Sequence, residues 1–180
     1  MKKRELEIAL RAAAKVARET EFFVIGTQAV HAYCARPPAE VLLSQECDLY
    51  PKNHPEAASL LDQALGRGSR FGRQHGFYID VVAPEIATLP CGWQARLRSL
   101  RFGRTVALCL EVHDLIISKL AAGRLKDLEF AGALMRLNLA RLKILRRRIG
   151  QLDLENDRAK VRSRLKMVLD DLKLTGAEFL

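Results

Sequence analysis

The chain predicts a mixed-sheet α/β (α+β) core over residues 1–110, followed by a C-terminal helical bundle over 111–180. Three observations carry that reading. Short apolar runs recur at 21–26, 45–50, 77–83 and 104–110, the first three closed by glycine or proline, as buried strands are. Helical patterns lie between them, at 4–19 and 55–65. From Glu111 the character changes, and only helical periodicity follows, at 112–122, 125–137, 139–149 and 156–173.

Each element has its own local reason. In 4–19, Leu6, Ile8, Leu10, Ala13, Ala14 and Val16 form an apolar stripe among charges, and the alanines favour helix. Phe22-Phe23-Val24-Ile25 is a short apolar strand ended by Gly26-Thr27, and Thr27 to about Tyr33 reads as a helix that starts at the strand end. Arg36-Pro37-Pro38 marks a loop over 35–41. Glu46-Cys47-Asp48-Leu49-Tyr50 is a strand, stopped by Pro51. Leu60, Leu61 and Leu65 share one face of the helix 55–65. Gly66, Gly68, Gly72 and Gly76 make 66–76 a loop with room for a short strand. Phe77 to Ala83 is a strand, and Pro84 to Trp93 an ordered loop. In the last helix, Val161, Leu165, Val168, Leu169 and Leu172 line one face. No internal repeat is visible.

Composition narrows the function classes. A length of 180 residues suits one compact domain or a core with an appendage, and 49% hydrophobic content is ample for a core. The four cysteines, Cys34, Cys47, Cys91 and Cys109, show no C-x-x-C spacing, so reduced thiols are expected rather than zinc or disulfides. Met1-Lys2-Lys3-Arg4 leads into no apolar signal core, and no run approaches a membrane helix. The expectation is a cytoplasmic protein with no membrane partner. Residues 136–166 hold eleven Lys/Arg against three acids, a surplus of eight in a net charge of +9. That asymmetry favours a polyanionic partner, RNA or tRNA, through Arg141, Lys143, Arg146, Arg147 and Arg148, or else describes a solvated helix face.

Three carboxylates carry the chemistry. Alternate strand residues face the same way, so Glu46 and Asp48 aim side by side. Asp80, inside Tyr78-Ile79-Asp80-Val81, can join them from a neighbouring strand. Converging carboxylates repel unless cations lie between them. The pattern therefore suits Mg²⁺ or Mn²⁺ holding an NTP substrate, with an exposed acidic edge as the alternative. Gly26 would let the backbone approach a phosphate, and Thr27 would offer it a hydroxyl. A tight strand-to-helix turn is the plainer reading of that pair.

The stretches FFVIGTQAV (22–30), LLSQECDLYPKN (42–53), YIDVVAPEIATLPCGW (78–93) and HDLIISKLAAGRLKDLEF (113–130) together resemble the nucleotidyltransferase superfamily of polymerase-beta-like fold. More narrowly, they resemble small bacterial DUF6036-type nucleotidyltransferase-like proteins, distantly AbiEii-like. The last stretch is the most specific, through its Asp, Lys and Arg-x-Lys-Asp spacing. The resemblance implies Glu46, Asp48 and Asp80 as metal ligands, with Asp80 also as general base. It implies catalytic roles for Lys119 and Asp127, and nucleotide contacts from Gly26, Thr27, Lys119 and Arg124. It departs at Glu46, where aspartate is common, and at Thr27, where serine or glycine is usual. The implied reaction is transfer of a nucleoside monophosphate to an acceptor hydroxyl of RNA, tRNA or protein, in a toxin–antitoxin or phage-defence setting with a cognate partner protein. The alternatives are an inactive binding module of the same fold, acting as antitoxin or nucleic-acid adaptor, and a phosphohydrolase using the same acids.

Overall fold

The structure is a computed structural model and describes residues 1–174. The end of the expected helical part, 175–180, lies outside the described residues. The chain packs as two compact units, one of residues 1–86 and 97–110, the other of 87–96 and the chain from Glu111 onward.

The first unit is built on five strands: β1 (Glu21–Val24), β2 (Glu46–Pro51), β3 (Tyr78–Val81), β4 (Arg98–Phe102) and β5 (Thr105–Cys109). Their order in the sheet is β3-β2-β1-β5-β4. β1 runs antiparallel to β2 and parallel to β5, β2 runs parallel to β3, and β4 and β5 form an antiparallel hairpin. The mixed α/β reading therefore holds. The core is aliphatic at its centre, with Phe22, Val24, Cys47, Leu49, Ile79 and Ala107 fully buried. Helix α1 (Lys3–Ala17) buries Leu6, Ala9, Leu10, Ala13 and Ala17 against the sheet and against α2 (Ala58–Leu65).

Glu19, just after α1, is almost wholly buried and accepts from the backbone N–H groups of Thr20, Glu21 and Asn53. Burial alone would raise its carboxyl, but those donors outweigh it and hold the carboxyl below its ordinary value. The carboxylate thus ties the start of β1 to the turn after β2.

Three segments differ from the sequence expectation. Residues 66–76 contain no strand. They form the short helix α3 (Arg70–His75), because the Ser69 hydroxyl caps it by accepting from Gly72 N–H at 3.0 Å and Gly76 ends it at φ +74°. β4 carries an Arg-Ser-Leu-Arg-Phe pattern with little apolar content, as an edge strand does. Its signal was the two-residue turn at Gly103-Arg104, where Gly103 has φ +64°. The segment Thr27–Ala32 is a 3₁₀ turn rather than an α-helix.

In the second unit, α4 (Val112–Ala122), α5 (Leu125–Arg136), α6 (Leu142–Ile149) and α7 (Glu155–Leu174) follow the expected spacings closely. Helix α4 ends at Gly123, φ +70°, and Arg164 from α7 donates to the last carbonyls, Leu120 O at 2.8 Å and Ala121 O at 2.6 Å. The positive φ favours glycine at 123, and a Cβ there would also displace the Arg164 guanidinium, which lies 2.0 Å from that position.

A candidate nucleotidyl-transfer site

Asp48 and Asp80 are direct register partners on the parallel strands β2 and β3, and Glu46 is the partner of Tyr78 two residues earlier. All four side chains therefore project from one face of the sheet. Gly26 closes the other side of Asp48. A Cβ there would lie 1.7 Å from Asp48 Oδ2 and 2.7 Å from its Cβ, so the aspartate side chain occupies the space that glycine leaves. The backbone of Gly26 is extended (φ −97°, ψ −164°), so its glycine answers to this close approach rather than to a left-handed conformation.

Next to Gly26, Thr27 is half-buried and its hydroxyl accepts from Gln28 Nε2 at 3.4 Å. Buried Gln28 also reaches the Glu46 carbonyl, at 3.3 Å, and so ties the 3₁₀ turn to the start of β2.

Residues the sequence reading missed complete this face. The Tyr78 hydroxyl donates to Glu46 Oε2 at 3.2 Å. Arg67 donates to the same hydroxyl from Nε at 3.1 Å and Nη2 at 2.6 Å. Asp62, on α2, adds a fourth acid nearby. Partial burial first, then the charges of Glu46 and Asp62, raise the Asp80 carboxyl above its ordinary value, while Arg67 opposes them. The signals available in sequence were only the Tyr78–Asp80 alternation and an arginine between glycines.

Among the described residues, no group of three or more His, Cys, Asp or Glu side chains is arranged to hold a metal ion. The donors are nonetheless suited to Mg²⁺, which prefers carboxylate oxygens and is usually held by one or two carboxylates plus substrate phosphates rather than by a closed protein cage. The in-register pair of aspartates fits that description.

The residues expected from α4 and α5 are engaged within the helical unit. Asp127 is 2% exposed and Lys119 7%. Lys119 Nζ lies 3.7 Å from Asp127 Oδ1. Arg124 donates to Asp127 Oδ2 from Nε at 2.7 Å and from its backbone N–H at 3.3 Å, so Asp127 caps the first turn of α5.

Arg148, expected among the nucleic-acid contacts, points inward. It is 8% exposed, pairs with Glu111, and reaches Asp114 Oδ1 at 3.1 Å. Arg96 binds the other Asp114 oxygen at 2.8 Å. Fully buried Asp114 leaves this arginine no freedom to meet solvent, which corrects the expectation. Arg141, Lys143, Arg146 and Arg147 are exposed as expected.

The Gly-Thr strand end thus lies against an aspartate pair on adjacent strands. The family model described as a nucleotidyltransferase of unknown function (DUF6036) matches residues 9–171, and the chain belongs to that family. Searches of curated proteins and of solved structures return no significant match. Among the described residues, no helix is long and apolar enough to cross a membrane.

Proposed function

We propose that the protein transfers a nucleoside monophosphate from an NTP to an acceptor hydroxyl. The observation that supports this reading best is the register pairing of Asp48 with Asp80, packed against the missing side chain of Gly26. Asp48 and Asp80, with Glu46 beside them, would hold Mg²⁺ or Mn²⁺ together with the triphosphate. When bound, the ion neutralises the charge that grows on the leaving pyrophosphate.

The chain's own groups do the rest. The Thr27 hydroxyl donates to a phosphate oxygen, while the space beside Gly26 is taken by the Asp48 side chain. Asp80 would accept the proton of the attacking hydroxyl as general base. The acceptor oxygen bonds to the α-phosphorus as the bond to the bridging oxygen breaks and pyrophosphate leaves. Positioning and charge stabilisation carry the rate.

Exposed Arg141, Lys143, Arg146 and Arg147 on and beside α6 make RNA the acceptor class that the charge favours. The same four cations also support a second reading, a binding module without turnover.

The test is a transfer assay with Mg²⁺, each α-³²P-labelled NTP and total RNA. Wild type is expected to label RNA, and Asp48→Ala and Asp80→Ala to lose at least about 100-fold with their fold intact. No label from well-folded wild type would overturn the enzyme reading and leave the binding module.

A further inference from the structure

Glu46 is the longest of the three site carboxylates, with one more rotatable bond than an aspartate. Left alone, its head group would spread over several rotamers and bind an ion weakly, because each binding event would have to freeze it. The structure supplies a partner that removes this freedom. Tyr78 is the register neighbour of Glu46 on β3, and its hydroxyl reaches Glu46 Oε2 at 3.2 Å.

The direction of that bond is determined. A hydroxyl has one proton, and a guanidinium has only donors. Arg67 directs Nε and Nη2 at the Tyr78 oxygen, at 3.1 and 2.6 Å, so the oxygen is the acceptor for both and its own proton must go to Glu46. Arg67 is an exposed side chain carried on a fixed turn. It follows buried Gly66, where a Cβ would come within 2.3 Å of Asp62 O, and the turn is closed by Ser69 N–H donating to Gly66 O at 3.1 Å. The chain of donors therefore runs from a built turn, through an aromatic hydroxyl, to one oxygen of the carboxylate.

We propose that Tyr78 and Arg67 are positioning residues for Glu46: Arg67 orients the Tyr78 hydroxyl, and the hydroxyl fixes the glutamate head group for the cation of the nucleotide site. This rests on the nucleotidyl-transfer reading above. Partners that orient a ligand in this way are commonly worth ten- to a hundredfold in metal affinity.

The test uses Mn²⁺ binding to the full chain, read by electron paramagnetic resonance with a non-hydrolysable ATP analogue present, and thermal melts to confirm folding. Tyr78→Phe is expected to weaken Mn²⁺ binding about tenfold. Arg67→Ala is expected to weaken it less, and Arg67→Lys, which keeps a donor, to restore most of the loss. In a Glu46→Gln background, Tyr78→Phe should have no further effect, which a merely structural tyrosine would not show. Wild-type binding in Tyr78→Phe, or an equal loss with and without Glu46, would overturn the positioning role while Asp48→Ala still abolished binding. Wild type that binds no Mn²⁺ would overturn the metal reading and this role with it.

Discussion

Gly26 has an ordinary extended backbone, yet no other residue fits, because the Asp48 side chain stands where its Cβ would be. The contact involves Asp48 Cβ and Cγ as well as the carboxylate, so a rotamer change alone does not clear it. Gly26→Ala is therefore expected to push β1 and β2 apart locally, at a cost of about 1–3 kcal/mol as in other overpacked sites. Mn²⁺ binding should fall with it, since Asp48 moves. Gly103→Ala, in the β4–β5 turn, is the control: its φ is +64° and a Cβ there would meet only the end of Arg11 at 3.6 Å, so it pays only the backbone penalty and leaves Mn²⁺ binding unchanged. Thermal melts and metal titration of the two variants check this. At this scale the sequence was partly legible. Gly26 stood out in the chain, but the neighbour that explains it, Asp48, lies twenty-two positions away and meets it only across the β1–β2 pairing.

Among the elements, the contacts of α4 with α6 and with the 87–96 segment depend on buried charge. Arg148 and Arg96 converge on Asp114, and Glu111 accepts from Arg148 and from His113, Nδ1 at 2.8 Å. The backbone N–H of Arg141 donates to His113 Nε2, so the imidazole proton sits on Nδ1 and faces Glu111. Removing one partner of such a network leaves an uncompensated charge, and Arg148→Ala is expected to cost about 3–5 kcal/mol.

The network also sets a pH window. Burial alone would raise Glu111, but the hydrogen bond from His113, then the bond and charge of Arg148, outweigh it and hold the carboxyl down at about 2 against an ordinary 4.5. Because the folded value is depressed, the stability it supplies is complete above about 4.5 and is lost as pH falls toward 2. Urea melts of wild type and Glu111→Gln should differ most near neutrality and converge through that window. Helix limits were legible here from periodicity, as at 112–122. The inward turn of Arg148 was not, because in an Arg146-Arg147-Arg148 run only the tertiary partners decide which arginine is buried.

For the whole molecule, charge is the property that sequence describes best. Four cations of the α6 region, Arg141, Lys143, Arg146 and Arg147, remain exposed once Arg148 is withdrawn. If RNA is the acceptor class, Arg146→Glu with Arg147→Glu should weaken RNA binding strongly while the melting temperature holds, and should flatten the dependence of affinity on salt, because fewer counterions are released. Filter binding over a salt series measures both. Affinity that ignores salt would mark the stretch as a solvated face.

The fold class followed from the sequence because strand runs, caps and apolar stripes are local, and each is set by residues a few positions apart. The candidate carboxylates followed for the same reason, since alternation on β2 puts Glu46 and Asp48 on one face whatever surrounds them. Only the tertiary structure decided that Asp80 lies opposite Asp48, that Tyr78 and Arg67 reach Glu46, and that Lys119 Nζ stands 3.7 Å from Asp127. Those facts depend on register and on contacts between residues far apart in the chain, which no local pattern encodes.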